Sequence, residues 1–158
     1  MIVVSDTSPL CYLILIGQQT LLQQLYGRVF IPPAVFDELS HPHSPESVQG
    51  WAAALPAWVE VLAPQHIADE LAALDSGEAA AIALARDLQA TVLLIDERTA
   101  VRFARSQGFL VTGILGVLVD AANSGLVSLA DAFAALEQTN FHRSPTLFAD
   151  LLKKHGSE

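Results

Sequence analysis

Residues 77–95 read GEAAAIALARDLQATVLLI. The first part is built from strong helix formers, and TVLLI is a continuous β-branched and leucine run. A helix that feeds directly into a strand with no polar face leaves few folds open. Such a strand is buried on both sides, and helices are what cover it. MIVVS at the start of the chain is a second strand of the same kind. Residues 28–31, 58–62 and 109–112 read as three more strands. Helices are predicted over 10–25 (ending near Gly27), 33–39, 48–55, 68–74, 77–90, 97–107, 114–123, 129–138 and 144–154. The stretch SHPHSPES is predicted as a loop. Strands alternating with helices imply an α/β fold around a mostly parallel sheet.

With 158 residues, the chain fits one domain over 1–158, with a C-terminal helical extension from about 128. Hydrophobic residues make up 52% and charged residues 16%. No apolar run approaches the roughly 18–20 residues of a membrane span, so no membrane partner is expected. Nothing basic precedes Ile2, so no signal peptide is expected either. Cys11 is the single cysteine, which suits a reducing, cytoplasmic setting; it lies in an apolar stretch as a small hydrophobe. The apolar surplus points to a surface covered by a partner chain. Seventeen acids against eight Lys plus Arg give a net charge of −9. That opposes nucleic-acid binding, which basic groups drive, unless charge is locally arranged.

Several chemistries are excluded by missing motifs. There is no phosphate-binding G-x-x-x-x-G-K-[ST], no G-x-G-x-x-G and no G-x-S-x-G elbow. Lys153 and Lys154 are the only lysines, far from any candidate site. His41 and His43 flank Pro42 in a loop and lack further zinc ligands at suitable spacing. Trp51 and Trp58 read as packing.

Carboxylates remain. Asp6 follows IVVS and Asp96 follows TVLLI, at the strand ends where open α/β sheets bind ligands. Glu38 lies in PPAVFDEL and Glu78 opens the helix in LDSGEAAAIALA. Each has an ordinary role available. Asp6 suits a turn, Asp96 suits the cap of the helix at 97, and Asp75 with Glu78 suits a capping box. Glu38 suits an exposed helical position. Together they also suit a hard divalent cation, whose charge offsets the repulsion of converging carboxylates. Such a cation makes a water nucleophilic at neutral pH and stabilises charge on a phosphate. Arg98, Arg102 and Arg105 recur at i, i+4 and i+7, giving a basic stripe on one helix face. The stripe is either a solvated face or a local phosphate-binding surface.

Four stretches, VVSDTSPL, IPPAVFDEL, LDSGEAAAIALA and VLLIDERTAVRFARSQGFLVTGILGVL, together resemble the PIN-domain family. The similarity is greatest to its VapC-type toxin branch and the group labelled DUF3368. The resemblance implies a three-layer α/β/α fold and a Mg²⁺- or Mn²⁺-dependent endoribonuclease acting on RNA. It places Asp6, Glu38, Glu78 and Asp96 as catalytic metal-site acids. It places Ser5, Thr7 and Ser8 where hydroxyls support the site. Many relatives carry a further Asp just behind the position of Asp96; here Glu97 and Arg98 stand there, and Glu97 is a possible substitute. The resemblance also implies a small cognate antitoxin and a homodimer. A binding module with a degenerate site is the alternative. A phosphatase using Asp6 ranks last, because no second Asp follows two residues on.

Overall fold

The two apolar runs become the central strands. Val3–Ser5 forms β1, and every residue in it is buried. In a computed structural model describing residues 1–156, β1 is flanked by β2 (Val29–Ile31) on one side and β4 (Val92–Leu94) on the other. Strand β3 (Val59–Val61) lies outside β2, and β5 (Val111–Thr112) lies outside β4. All the pairings are parallel, in the order β3-β2-β1-β4-β5. The register sets Ser5 beside Leu94, so Asp6 and Asp96 leave adjacent strands at the same end. Connections run outward from β1 in one direction through β2 and β3, then resume on its other side at β4. The order therefore reverses between β1 and β4, which is where such sheets open a ligand crevice.

Alternating strand residues feed two cores. Val3, Val29, Ile31, Val92 and Leu94 pack with helices on one face. Those helices are α1 (Thr7–Leu15), α2 (Thr20–Tyr26), α3 (Pro33–Ser40), α4 (Glu46–Ala53), α7 (Ile114–Asn123), α8 (Leu129–Glu137) and α9 (Pro145–His155). Val4, Phe30, Leu93 and Ile95 meet the opposite layer, α5 (Ser76–Leu88) and α6 (Arg98–Ser106). The result is the expected three-layer α/β/α arrangement. Helix α5 is buried at every position from Gly77 to Ala85. Its alanines let a fully enclosed helix approach the sheet closely.

The sequence predicts one helix over 10–25, but two form. Gly17 adopts φ +72°, and the amides of Gly17 and Gln18 donate back to Ile14 and Leu13. This left-handed closing turn ends α1. The first helix also begins at Thr7 rather than at position 10, so Pro9 falls inside it. Pro9 lies in the first turn of α1, where the missing N–H has no intrahelical acceptor to lose. The predicted helix over 68–74 shrinks to one 3₁₀ turn, Asp69–Leu71, pinned by fully buried Leu71. Helix α4 starts at Glu46, inside the predicted loop.

Helices α8 and α9 share the main core rather than forming a separate one. Phe133, Leu136, Phe141 and Phe148 pack with residues of α1 and α7, and Phe133 meets Phe148 edge-on at 5.0 Å. Ser157 and Glu158, the last two residues of the expected domain, lie outside the described residues. Among the described residues, no helix is long and apolar enough to cross a membrane.

Candidate metal centre

Asp6 is placed by the sheet itself. Its backbone N–H donates to the Leu94 carbonyl at 2.9 Å, extending the pairing of β1 with β4 by one residue. It stands at the N-cap position of α1, yet its side chain makes no capping bond. The Ser5 hydroxyl donates to the Asp6 backbone carbonyl at 2.8 Å, so it holds the main chain rather than the carboxylate. Asp6 Oδ1 is buried with no hydrogen-bond partner. Burial pushes the Asp6 carboxyl up to about 8, against the pull of the Thr7 amide, and Asp75, Glu78 and Glu38 add repulsion. An orphaned buried carboxylate oxygen is costly and calls for a ligand.

Glu38 and Glu78 come to Asp6 from two helices. Glu38, on α3, accepts a hydrogen bond from the Thr7 hydroxyl. Its carboxylate also lies against Gly77 in the first turn of α5; a Cβ there would stand 2.5 Å from Oε1. Glu78 completes the capping box expected from the sequence. Its amide donates to Asp75 Oδ1 at 2.8 Å, and its Oε1 accepts from the Asp75 amide at 3.2 Å. The box does not remove Glu78 from the site. Burial, then the Asp75 charge, raises its carboxyl to about 7. Asp75 thus joins Asp6, Glu38 and Glu78, although its sequence signature is only that of a cap.

Asp96 behaves differently from the cap its position suggests. Glu97 occupies that role, accepting from the Ala100 amide at 2.9 Å. The hydrogen bonds from Ala100 and Thr99 hold the exposed Glu97 carboxyl below the usual range. Glu97 is therefore committed to starting α6. Asp96 instead turns toward α7, where its Oδ1 accepts from the Ile114 amide at 3.0 Å. Gly113 makes this possible, because a Cβ there would collide with Asp96 Oδ1. Asp96 Oδ2 is buried and unpartnered. Burial raises the Asp96 carboxyl, opposed by the Ile114 amide and by Arg143. Arg143 Nη2 lies 3.6 Å from Oδ1. No sequence signal marks Arg143, which reaches Asp96 from the segment joining α8 to α9.

A cleft of about 720 Å³ opens beside Asp96, and Ser8, Glu97 and Arg98 help to line it. Arg98, Arg102 and Arg105 are all exposed on α6, but only Arg98 reaches this cleft. Among the described residues, none of the three makes an ion pair.

Among the described residues, no three His, Cys, Asp or Glu side chains stand ready to enclose a metal ion. The donor set still fits a hard cation. Two unpartnered carboxylate oxygens, Asp6 Oδ1 and Asp96 Oδ2, follow adjacent strands. Mg²⁺ is commonly held by one or two carboxylates while keeping several waters, and Mn²⁺ accepts the same oxygen donors.

The family model DUF3368, described as a PIN domain, matches residues 2–157. No curated protein and no solved structure matches the chain. The family match spans the whole parallel sheet and every acid of the crevice. On that match, the chain belongs to the PIN-domain family, with a nuclease-type fold.

Proposed function

We propose that the protein is a Mg²⁺- or Mn²⁺-dependent endoribonuclease, the toxin of a VapC-like toxin–antitoxin pair. The observation that carries this is the pair of orphaned, buried oxygens on Asp6 and Asp96 at the point where strand order reverses. When bound there, a divalent cation supplies an acidified water and stabilises charge on the phosphate under attack.

The chain's own residues do the rest. Asp6 and Asp96, each with one unpartnered oxygen, would hold the cation. The Ile114 amide fixes the other oxygen of Asp96, leaving Oδ2 free to ligate. Thr7 orients Glu38 through its hydroxyl. Glu78, a buried carboxylate beside Asp75, would accept a proton from the attacking water. The antitoxin and homodimer belong to the same proposal. An apolar groove of about 400 Å³ between α3 and α5, including exposed Ile67, supports a protein partner.

The test is cleavage of single-stranded RNA in Mn²⁺ or Mg²⁺, set against the same reaction in EDTA. Cleavage is expected only with metal. Saturating Mn²⁺ is expected to raise the melting temperature by about 5–10 °C, since about 2.7 kcal/mol accrues at a hundredfold excess over Kd. Cleavage that persists in EDTA overturns the mechanism. Neither cleavage nor a metal-induced rise leaves a binding module.

A further inference from the structure

The cleft beside Asp96 has a second wall that the carboxylates do not use. It is the segment between α8 and α9, and it is anchored along its length. Asn140 Oδ1 accepts from the Tyr12 hydroxyl at 2.9 Å. Phe141 is buried and meets Tyr12 edge-on at 5.0 Å. The Arg143 guanidinium lies 4.6 Å from the centre of the Phe141 ring, and its Nη1 donates to the His142 carbonyl at 2.8 Å. The Ser144 hydroxyl then starts α9 by accepting from the Thr146 amide.

This built wall faces Arg98 in the first turn of α6. A chain of net charge −9 thus gathers two guanidinium groups, a half-buried Tyr12 ring and an exposed His142 ring in one cleft. Guanidinium groups match phosphate oxygens, and aromatic or guanidinium planes stack on unpaired bases. Arg143 is held to Asp96 only by long contacts: its Nη2 lies 3.6 Å from Oδ1 and donates to the Asp96 backbone carbonyl at 3.4 Å, both well beyond the roughly 2.7–2.9 Å of a tight charge-assisted bond. A volume of about 720 Å³ is within the range of sites that enclose a small molecule, so one nucleotide has room.

We propose that this cleft seats one unpaired nucleotide of a single-stranded RNA, with its phosphate on Arg98 and Arg143 and its base against Tyr12 and His142. The substrate class rests on the nuclease assignment above. The requirement for an unpaired base is separate, because a base stacked inside a duplex does not enter such a cleft.

The experiment is fluorescence anisotropy with a 5′-labelled eight-nucleotide single-stranded RNA and the full chain in Ca²⁺, with RNA length checked on a gel afterwards. Arg143→Gln and Arg98→Gln are each expected to weaken binding about tenfold. Each is also expected to reduce the slope of log K against log salt by about 0.7. Arg105→Gln, on the same helix but outside the cleft, is expected to stay within about twofold. Duplex RNA of the same sequence is expected to compete at least about tenfold more weakly.

Wild-type affinity and slope in Arg143→Gln, or equal competition by duplex, overturns the cleft even when the wild-type protein cleaves RNA. A protein that never cleaves, yet loses RNA binding on Arg143→Gln, keeps the cleft and overturns the nuclease assignment. No RNA binding at all overturns both. A larger Mn²⁺-induced rise in melting temperature in Arg143→Gln, with RNA affinity unchanged, reduces Arg143 to a counter-ion of Asp96 and also overturns the proposal.

Discussion

Asp6→Asn is expected to abolish RNA cleavage and, in the same molecule, to make the metal-free protein more stable. On the proposed mechanism activity falls because a ligand to the cation is lost; an effect of several kcal/mol on the barrier is a loss of about a thousandfold or more. Stability rises for a different reason. The Asp6 carboxyl is raised to about 8 by burial and by Asp75, Glu78 and Glu38, whereas in the unfolded chain it titrates near 3.9. Between those values the folded state holds a proton that the unfolded state has released. Folding stability therefore falls as pH rises from about 4 to about 8, and levels off above that. Asparagine has the same shape and no charge, so it escapes this cost. At pH 8 in EDTA the gain is expected to be about 2–4 kcal/mol, or about 4–16 °C in melting temperature, after discounting for water penetration. At pH 5 most of the difference is expected to vanish. Melting curves at the two pH values, with and without Mn²⁺, check this. A variant less stable than wild type at pH 8 in EDTA would show that the Asp6 carboxylate is held by bonds rather than left waiting for a ligand.

The same linkage makes metal binding pH-dependent. Asp6 must release its proton to hold a cation, so the Mn²⁺-induced rise in melting temperature is expected to shrink from pH 8 to pH 6. Asp6→Asn loses that rise at both values. Activity and stability are thus expected to move in opposite directions at one residue, as they do where a site gives up fold stability for chemistry.

The parts of this design that are local in the chain are visible in the sequence. VVS and VLL announce buried strands through their own composition, and the acid after each lands at a strand end because strand direction is uniform. The capping box of Asp75 and Glu78 is a four-residue pattern and forms as written. What stays hidden depends on contacts between distant segments. The break at Gly17 is the exception, a local backbone turn that is hidden because apolar residues resume beyond Gln18 and Gln19 and pack in the same core. Whether Asp96 or Glu97 caps α6 turns on Asp96 finding the Ile114 amide, 18 residues on. Arg143 meets Asp96 across 47 residues, and the joining of Asp75 to Asp6 needs α5 to dock beside β1. Spacing alone carries none of this, since the partners come from different layers.

The two glycines under the site make the sharpest separation of function from fold. Gly113 has φ −97° and ψ −173°, extended backbone that alanine adopts freely, so Gly113→Ala acts through its methyl group alone. That methyl meets Asp96 Oδ1, while the Ile95 carbonyl stays at an ordinary contact distance of 3.5 Å. Aspartate is short and has little freedom to retreat. The Ile114 amide then loses its acceptor, and the carboxylate leaves its place beside β4. A stability loss of about 1–3 kcal/mol is expected, together with a cleavage loss of about a hundredfold or more. Gly77→Ala differs, because the obstructing group is the far end of Glu38, a longer and freer side chain. Alanine also favours the helix by up to about 1 kcal/mol over glycine, offsetting the strain. Melting temperature is therefore expected to stay within about 3 °C, while Glu38 is pushed off Thr7 and cleavage falls about tenfold. Shortening the acid tests the cause: Glu38→Asp in the Gly77→Ala background is expected to recover part of the lost cleavage, although Glu38→Asp alone lowers it. Such a sign change in a double-mutant cycle requires the methyl and the carboxylate to compete for one space. Additive losses would instead mean that Gly77 serves only the helix start and that Glu38 acts from elsewhere.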